Sequence, residues 1–274
     1  MTNMKKANLK NMAISAFAAL ILVLLPASAK ADFLDFQVDE GVVVGSDPIT
    51  FWADAINGSY SEVLTIDGQG GFSATLIATW SQYLANQGTT PLGQSQLDVA
   101  PGPAPLYGMY TIYTATGTIT PITATEFRFT TISGSAEIWI DPASDSYGWS
   151  LPAVGGTYPT IPTMFVDDLL VLSANNIYFE DNVLRVGVGG FFDIRFFQPV
   201  LTPFGNLYWP TLGDVQFLAA TVDGDFNTFD PTIARNVYSG GDLSANFTAI
   251  PEPSTLVLFG LGLVGTALAV RRKR

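Results

Sequence analysis

Carboxylate and amide oxygens recur at every second position in Asp223-Gly224-Asp225-Phe226-Asn227, and Asp230 follows three residues on. Oxygens so spaced converge on a hard cation when the chain curls, which makes Asp223, Asp225, Asn227 and Asp230 a candidate Ca2+ site. The run departs from an EF-hand, because Thr228 replaces the turn glycine and Ala234 stands where the bidentate Glu belongs. The alternative is an acidic β-turn whose Asp side chains cap backbone N–H groups. Asp141-Pro142-Ala143-Ser144-Asp145 and Asp167-Asp168 are weaker candidates of the same kind. Aromatic rings are the second candidate chemistry, since their faces stack on the C–H faces of sugars. Of Trp52, Trp80, Trp139, Trp149 and Trp209, most are expected in a core. Trp149 in Tyr147-Gly148-Trp149 and Trp209 in Tyr208-Trp209-Pro210 are expected to be exposed and available to a glycan.

Other chemistry is excluded by composition. The chain has 274 residues and neither His nor Cys. That removes Ser-His-Asp and Cys-His catalysis and His-ligated zinc. It also removes any disulfide framework, so stability must come from burial. No catalytic residue is assigned and a non-enzymatic protein is expected. A glycan-active enzyme working through two carboxylates remains the alternative, although nothing in the sequence singles out a pair. Eight of the 12 Lys and Arg lie in the two terminal segments, leaving Arg128, Arg185, Arg195 and Arg235 against all 24 carboxylates. The stretch from Asp32 to Glu252 therefore carries a net charge of −20 and no lysine. A field of that sign repels nucleic acid, anionic membrane surfaces and anionic polysaccharide. Such partners must be met through bound cations or through neutral sugar faces.

The elements that would position these residues read as strands. The body is rich in Thr, Val, Ile, Phe and Tyr and punctuated by Gly, Pro, Asn and Asp. Strands are expected over 60–66, 71–80, 109–118, 135–140, 165–172, 191–197, 215–222 and 243–249. Phe127 and Phe129 share a face opposite Glu126 and Arg128; Leu184, Val186 and Val188 share another. Turns are expected at Asn57-Gly58, Asp67-Gly68, Ser133-Gly134, Asp141-Pro142, Gly155-Gly156, Asn175-Asn176 and Gly240-Gly241. Residues 82–105, polar and proline-rich, read as a long surface loop. About ten short strands and no amphipathic helix give an all-β fold, a two-sheet β-sandwich or jelly roll.

Both ends of the chain are addresses. Lys5, Lys6 and Lys10 precede an apolar stretch from Met12 to Leu25 and then Ala29-Lys30-Ala31, an A-x-A cleavage site with Ala27-Ser28-Ala29 as a second candidate. This is a signal peptide over residues 1–31, a substrate for signal peptidase. The body follows over 32–250. At the other end, Pro251-Glu252-Pro253 precedes an uncharged run from Leu256 to Val270, and the chain closes on Arg271-Arg272-Lys273-Arg274. As a helix the run, with Ser254 and Thr255 added, spans roughly 25 Å, marginal for a hydrocarbon core of about 30 Å. The four cations hold that end in the cytoplasm. Residues 251–274 would thus stop the chain in the inner membrane with the body outside.

This tail resembles the PEP-CTERM sorting signal of Gram-negative bacteria. The resemblance implies removal of the tail by an exosortase-type membrane protease and a mature body at the cell surface or beyond it. It also implies a setting of exopolysaccharide synthesis. The body is similar to the flocculation-associated, PepA-like subgroup. The matching stretches are Phe36-Gln37-Val38-Asp39-Glu40-Gly41, Ile56 to Leu64, Ile140-Asp141-Pro142, Gly189 to Asp193, Val222 to Phe226 and Asp242 to Phe247. The subgroup implies cell aggregation within extracellular polysaccharide, as in flocs and biofilms, and supplies no catalytic residues.

Overall fold

A computed structural model describes residues 33–98, 107–143, 167–180, 182–213, 217–223 and 229–248. All of these belong to the second of the chain's two units, Phe33–Arg274. The expected all-β class holds. Among the described residues no helix is long and apolar enough to cross a membrane. The signal peptide and the C-terminal tail lie outside the described residues.

The first two strands form a ribbon of their own: β1 (Phe36–Asp39) pairs antiparallel with β2 (Thr50–Ala53). Four long strands follow. β3 (Ala55–Ile66), β4 (Gly71–Ala85), β6 (Gly108–Pro121) and β7 (Glu126–Asp141) pair in succession, with short β5 (Thr90–Pro91) at the end of β4. Then come β8 (Leu169–Ala174), β9 (Ile177–Glu180), β10 (Asn182–Arg185), β11 (Gly189–Phe197), β12 (Val200–Leu201), β13 (Phe217–Asp223) and β14 (Arg235–Thr248). β10 bonds to β11 on one edge and to β7 on the other, while β11, β13, β14 and β3 pair in order. Eight strands thereby close into a ring, the number at which side chains just fill the interior of a barrel. Closure holds at one end only. Further along, β7 leaves β10 and pairs with β8 through Ala136–Ala174 and neighbouring residues, and β8 in turn pairs with β12. The two layers expected of a sandwich are two halves of one curled sheet.

Alternation sets the faces, because successive side chains in a strand point to opposite sides. Leu64, Leu76, Tyr113, Ile138, Phe196, Leu218, Leu243 and Ala245 are buried in one apolar cluster. Thr114, Thr116, Thr118, Arg128 and Thr130 face out. The ribbon's inner face, Phe36, Val38, Phe51 and Ala53, belongs to the same cluster. Phe36 meets Tyr83, Trp209 and Phe247 edge-on at 5.1–6.2 Å between ring centroids. One helical turn, α1 (Pro203–Tyr208), escaped the sequence reading, although its start is spelled out by Thr202, whose hydroxyl accepts the Gly205 N–H, and by Pro203 at the first position.

Three expected turns are strand interiors instead. Asn57-Gly58 lies within β3, Ser133-Gly134 within β7 and Gly240-Gly241 within β14. The supposed loop 82–105 begins as the end of β4, and its Ser95, Gln96 and Leu97 are buried. Leu184, Val186 and Val188 do not continue one strand: β10 ends at Arg185 and Val188 is 82% exposed. The expected turn at Asp67-Gly68 is present, Asn175-Asn176 is instead a two-residue break between β8 and β9, which run in the same direction, and Gly155-Gly156 lies outside the described residues.

Candidate functional site

The ribbon β1–β2 carries an exposed ring. In Thr50-Phe51-Trp52-Ala53 the apolar Phe51 and Ala53 turn inward, so Trp52 must turn outward, and it is 55% exposed. Its cross-strand partner is Gln37; Asp39 stands opposite Thr50 on the same outer face. Both margins of the ribbon are fastened. The Gln37 N–H donates to Thr211 Oγ1 at 2.7 Å, Leu34 N–H to Phe247 O at 2.8 Å and Asp54 N–H to Leu84 O at 2.9 Å.

Beneath and beside the ribbon runs a buried polar chain. Glu40 lies in a 3-10 turn, Glu40–Val42, directly after β1 and is wholly buried. Its carboxylate accepts from Ser95 Oγ at 2.6 Å, from the Gln96 backbone N–H at 2.9 and 3.0 Å, from Gln96 Nε2 at 3.1 Å and from Tyr107 Oη at 2.7 Å. Tyr107 spends its proton on the carboxylate, so it accepts from Tyr208 at 2.7 Å, and Tyr208 accepts from Tyr83 at 2.8 Å. Burial, before any charge effect, pushes all three tyrosines well above the ordinary phenol range. Neutral donors alone surround the carboxylate, which locks the cap to β4, β6 and α1. The network holds the ribbon's position.

A second acid lies inside the barrel. Glu62 on β3 is 5% exposed and lines a void with Leu64, Phe72, Leu76, Tyr113, Phe129 and Asn182. Ser239 Oγ donates to its Oε2 at 3.1 Å. Burial pushes its carboxyl up to about 7, against a smaller downward pull from that hydrogen bond. Nothing in the sequence distinguished Glu62 beyond its place in an apolar-rich run.

The tryptophans are distributed differently from expectation. Trp209, read as an exposed glycan-binding ring, is wholly buried against Phe36, Phe247 and Tyr208, a correction that follows from the aromatic cap it completes. Trp80 is buried and donates its indole N–H to Thr111 Oγ1 at 2.8 Å. Trp139 stacks at 9° on Tyr110. Trp149 lies outside the described residues. Trp52 was the ring the sequence reading missed, and the alternation of Thr50 to Ala53 was the signal for it.

Of the candidate cation ligands, Asp223 ends β13 opposite Asp242, and Asp225 and Asn227 lie outside the described residues. Asp230 is exposed, and its Oδ1 accepts the Thr232 N–H at 2.9 Å and the Thr232 hydroxyl at 2.6 Å, bonds that hold its carboxyl below the usual range. Among the described residues no group of three or more Asp or Glu is disposed to hold a metal ion. Of the weaker candidates, Asp168 and Asp141 both act on Tyr110. Tyr110 Oη donates to Asp168 Oδ2 at 2.7 Å, and burial followed by these charges pushes its phenol up. Asp145 lies outside the described residues, as do Ala29, Ala31, Pro251, Glu252, Pro253, Arg271, Arg272, Lys273 and Arg274.

The ordered body therefore presents an acidic all-β protein whose last strand, β14, ends three residues before Pro251. Residues 249–273 match the PEP-CTERM protein-sorting motif. The motif marks an exported surface protein that is held by a C-terminal membrane anchor and then processed by exosortase. No curated protein and no solved structure matches the chain.

Proposed function

We propose that this chain is a non-enzymatic matrix protein of a Gram-negative bacterium, akin to the flocculation-associated PepA-like proteins. Once released from its tail it associates with extracellular polysaccharide and promotes cell aggregation in flocs or biofilms. The observation that carries this reading is a body of net charge −19, without lysine, delivered to the surface by a sorting motif. Divalent cations would sit between body carboxylates and anionic sugar and overcome the like-charge repulsion. Asp223, Asp225, Asn227 and Asp230 are the proposed Ca2+ ligands.

The test is co-sedimentation with the polysaccharide of the cells that make the protein, with Ca2+ and with chelator. Binding that requires Ca2+ and weakens in Asp223→Ala/Asp225→Ala is the expected result. Calcium-dependent binding unchanged in that variant removes the run from the mechanism. A second reading, contact with neutral sugar through aromatic rings, is favoured by the exposure of Trp52.

A further inference from the structure

We infer that the outer face of the β1–β2 ribbon is a subsite for a neutral, hydroxyl-rich pyranose. The sugar ring stacks on Trp52 and its hydroxyls are met by Gln37, with Asp39 at one end. The inference rests on the polysaccharide association proposed above and names the chemistry of one contact in it.

Four observations carry it. First, Trp52 leaves 55% of its surface in water between neighbours, Phe51 and Ala53, that are at most 5% exposed. Second, the ribbon is a stiff support. Its inner face packs on Tyr83, Trp209 and Phe247, and its margins are bonded to Thr211, Phe247 and Leu84. A ring held this way loses little freedom when a ligand covers it. Third, the register surrounds the indole with hydrogen-bonding groups. Gln37 is directly opposite, and Asp39 occupies a diagonal position, roughly 7–8 Å away by strand geometry. An amide donates and accepts, and carboxylates accept from sugar hydroxyls; Asp39 also accepts the Gly41 N–H at 3.1 Å. Fourth, charge selects the ligand. The four arginines of the body stand on β7, β10, β11 and β14, and none is on the ribbon. Uronate, phosphate and sulfate groups are repelled by Asp39 and by the acidic body, whereas an uncharged pyranose offers a C–H face to the indole and hydroxyls to Gln37 and Asp39.

The full chain, in a detergent without sugar headgroups, is run in native gels containing dextran, mannan, a β-1,3-glucan or alginate, all with chelator. The expected result is retardation by at least one neutral polysaccharide and not by alginate. Trp52→Ala weakens it about ten-fold or more, the loss of about 1.4 kcal/mol expected of a central aromatic anchor. Trp52→Phe restores much of the binding, which a variant that had merely unfolded the ribbon would not do. Retardation by none of the neutral polymers, or equal retardation of wild type and Trp52→Ala, overturns the subsite. So does a Trp52→Ala defect confined to phosphatidylcholine vesicles, which would make Trp52 a membrane contact. A parallel Ca2+ arm with the cells' own polysaccharide separates the two ideas. Wild-type binding there, with no Trp52-dependent retardation by any neutral polymer, removes the subsite and keeps the proposed function, whereas no wild-type binding removes both.

Discussion

Glu62 shows how one side chain sets the pH response of the barrel. Its carboxyl is buried beside Phe72 and Leu76 and accepts a hydrogen bond from Ser239 Oγ. Among the described residues no other charged residue lines that void. The folded state therefore holds the proton up to about 7, against 4.5 for the unconstrained group. Between those values the folded chain binds more protons than the unfolded one, so stability falls as pH rises. The contribution is complete below about 4.5 and gone above about 7, a loss of roughly 3 kcal/mol at 1.36 kcal/mol per unit. Asp67 and Asp230 titrate below their usual 3.8 and leave this window untouched. Glu62→Gln keeps the shape and removes the titration. Urea unfolding at pH 4.5, 6 and 7.5 should show the wild type losing stability across the series and the variant nearly level. A wild-type curve that is flat or rises would place a charged, solvated carboxylate at this position. Glu40 contrasts with it: an equally buried acid, but one met by five hydrogen bonds from neutral donors.

At the scale of elements, glycine carried two meanings that the sequence could not separate. Asp67-Gly68 is a turn because Asp67 Oδ1 accepts the Gln69 and Gly71 N–H groups and Gly68 sits at φ +72°. Asn57-Gly58 looks equivalent as a dipeptide, yet it is a bulge within β3, where the register against β4 shifts between Asn57 and Gly58. There glycine serves close approach, not chain reversal. A Cβ on Gly58 would lie 2.0 Å from Thr79 O, and that atom belongs to the paired backbone and cannot swing aside. Gly58→Ala should therefore cost about 2 kcal/mol or more, read as a lowered urea midpoint. Gly93→Ala, where nothing lies within 4 Å, is the control expected to change little. A neutral Gly58→Ala would mean that β3 and β4 separate readily at the bulge. The strand cores were legible for the same reason that their lengths were not. Alternation in Gly71 to Trp80 marks buried faces, but long-range pairing decides that β4 runs on to Ala85. Likewise, the ribbon's exposed Trp52 was legible from local alternation, whereas burial of Trp209 depends on Phe36 and Phe247, far away in the chain.

For the whole molecule, the path of the chain brings the two ends of the described body to one place. Leu34 N–H donates to Phe247 O at 2.8 Å, so the first and last described segments are neighbours. They meet at the end of the barrel that the ribbon caps, while the turns at residues 67–70 and 122–125 lie at the opposite ends of β3 and β6. This proximity makes a circular permutant a direct test, since chains whose ends meet at the surface tolerate rejoining. Residue 248 is joined to residue 33 by about five Gly and Ser residues. The chain is reopened between Thr123 and Ala124, in the exposed turn between β6 and β7. The permutant should keep the β-type circular dichroism of the unpermuted residues 33–248 and melt within about 10 °C of them, a cost of a few kcal/mol for a domain this size. A permutant that stays unfolded while the unpermuted segment folds would mean that Leu34 and Phe247 part in solution, and the ribbon would then lose one of the fastenings that hold Trp52 in place.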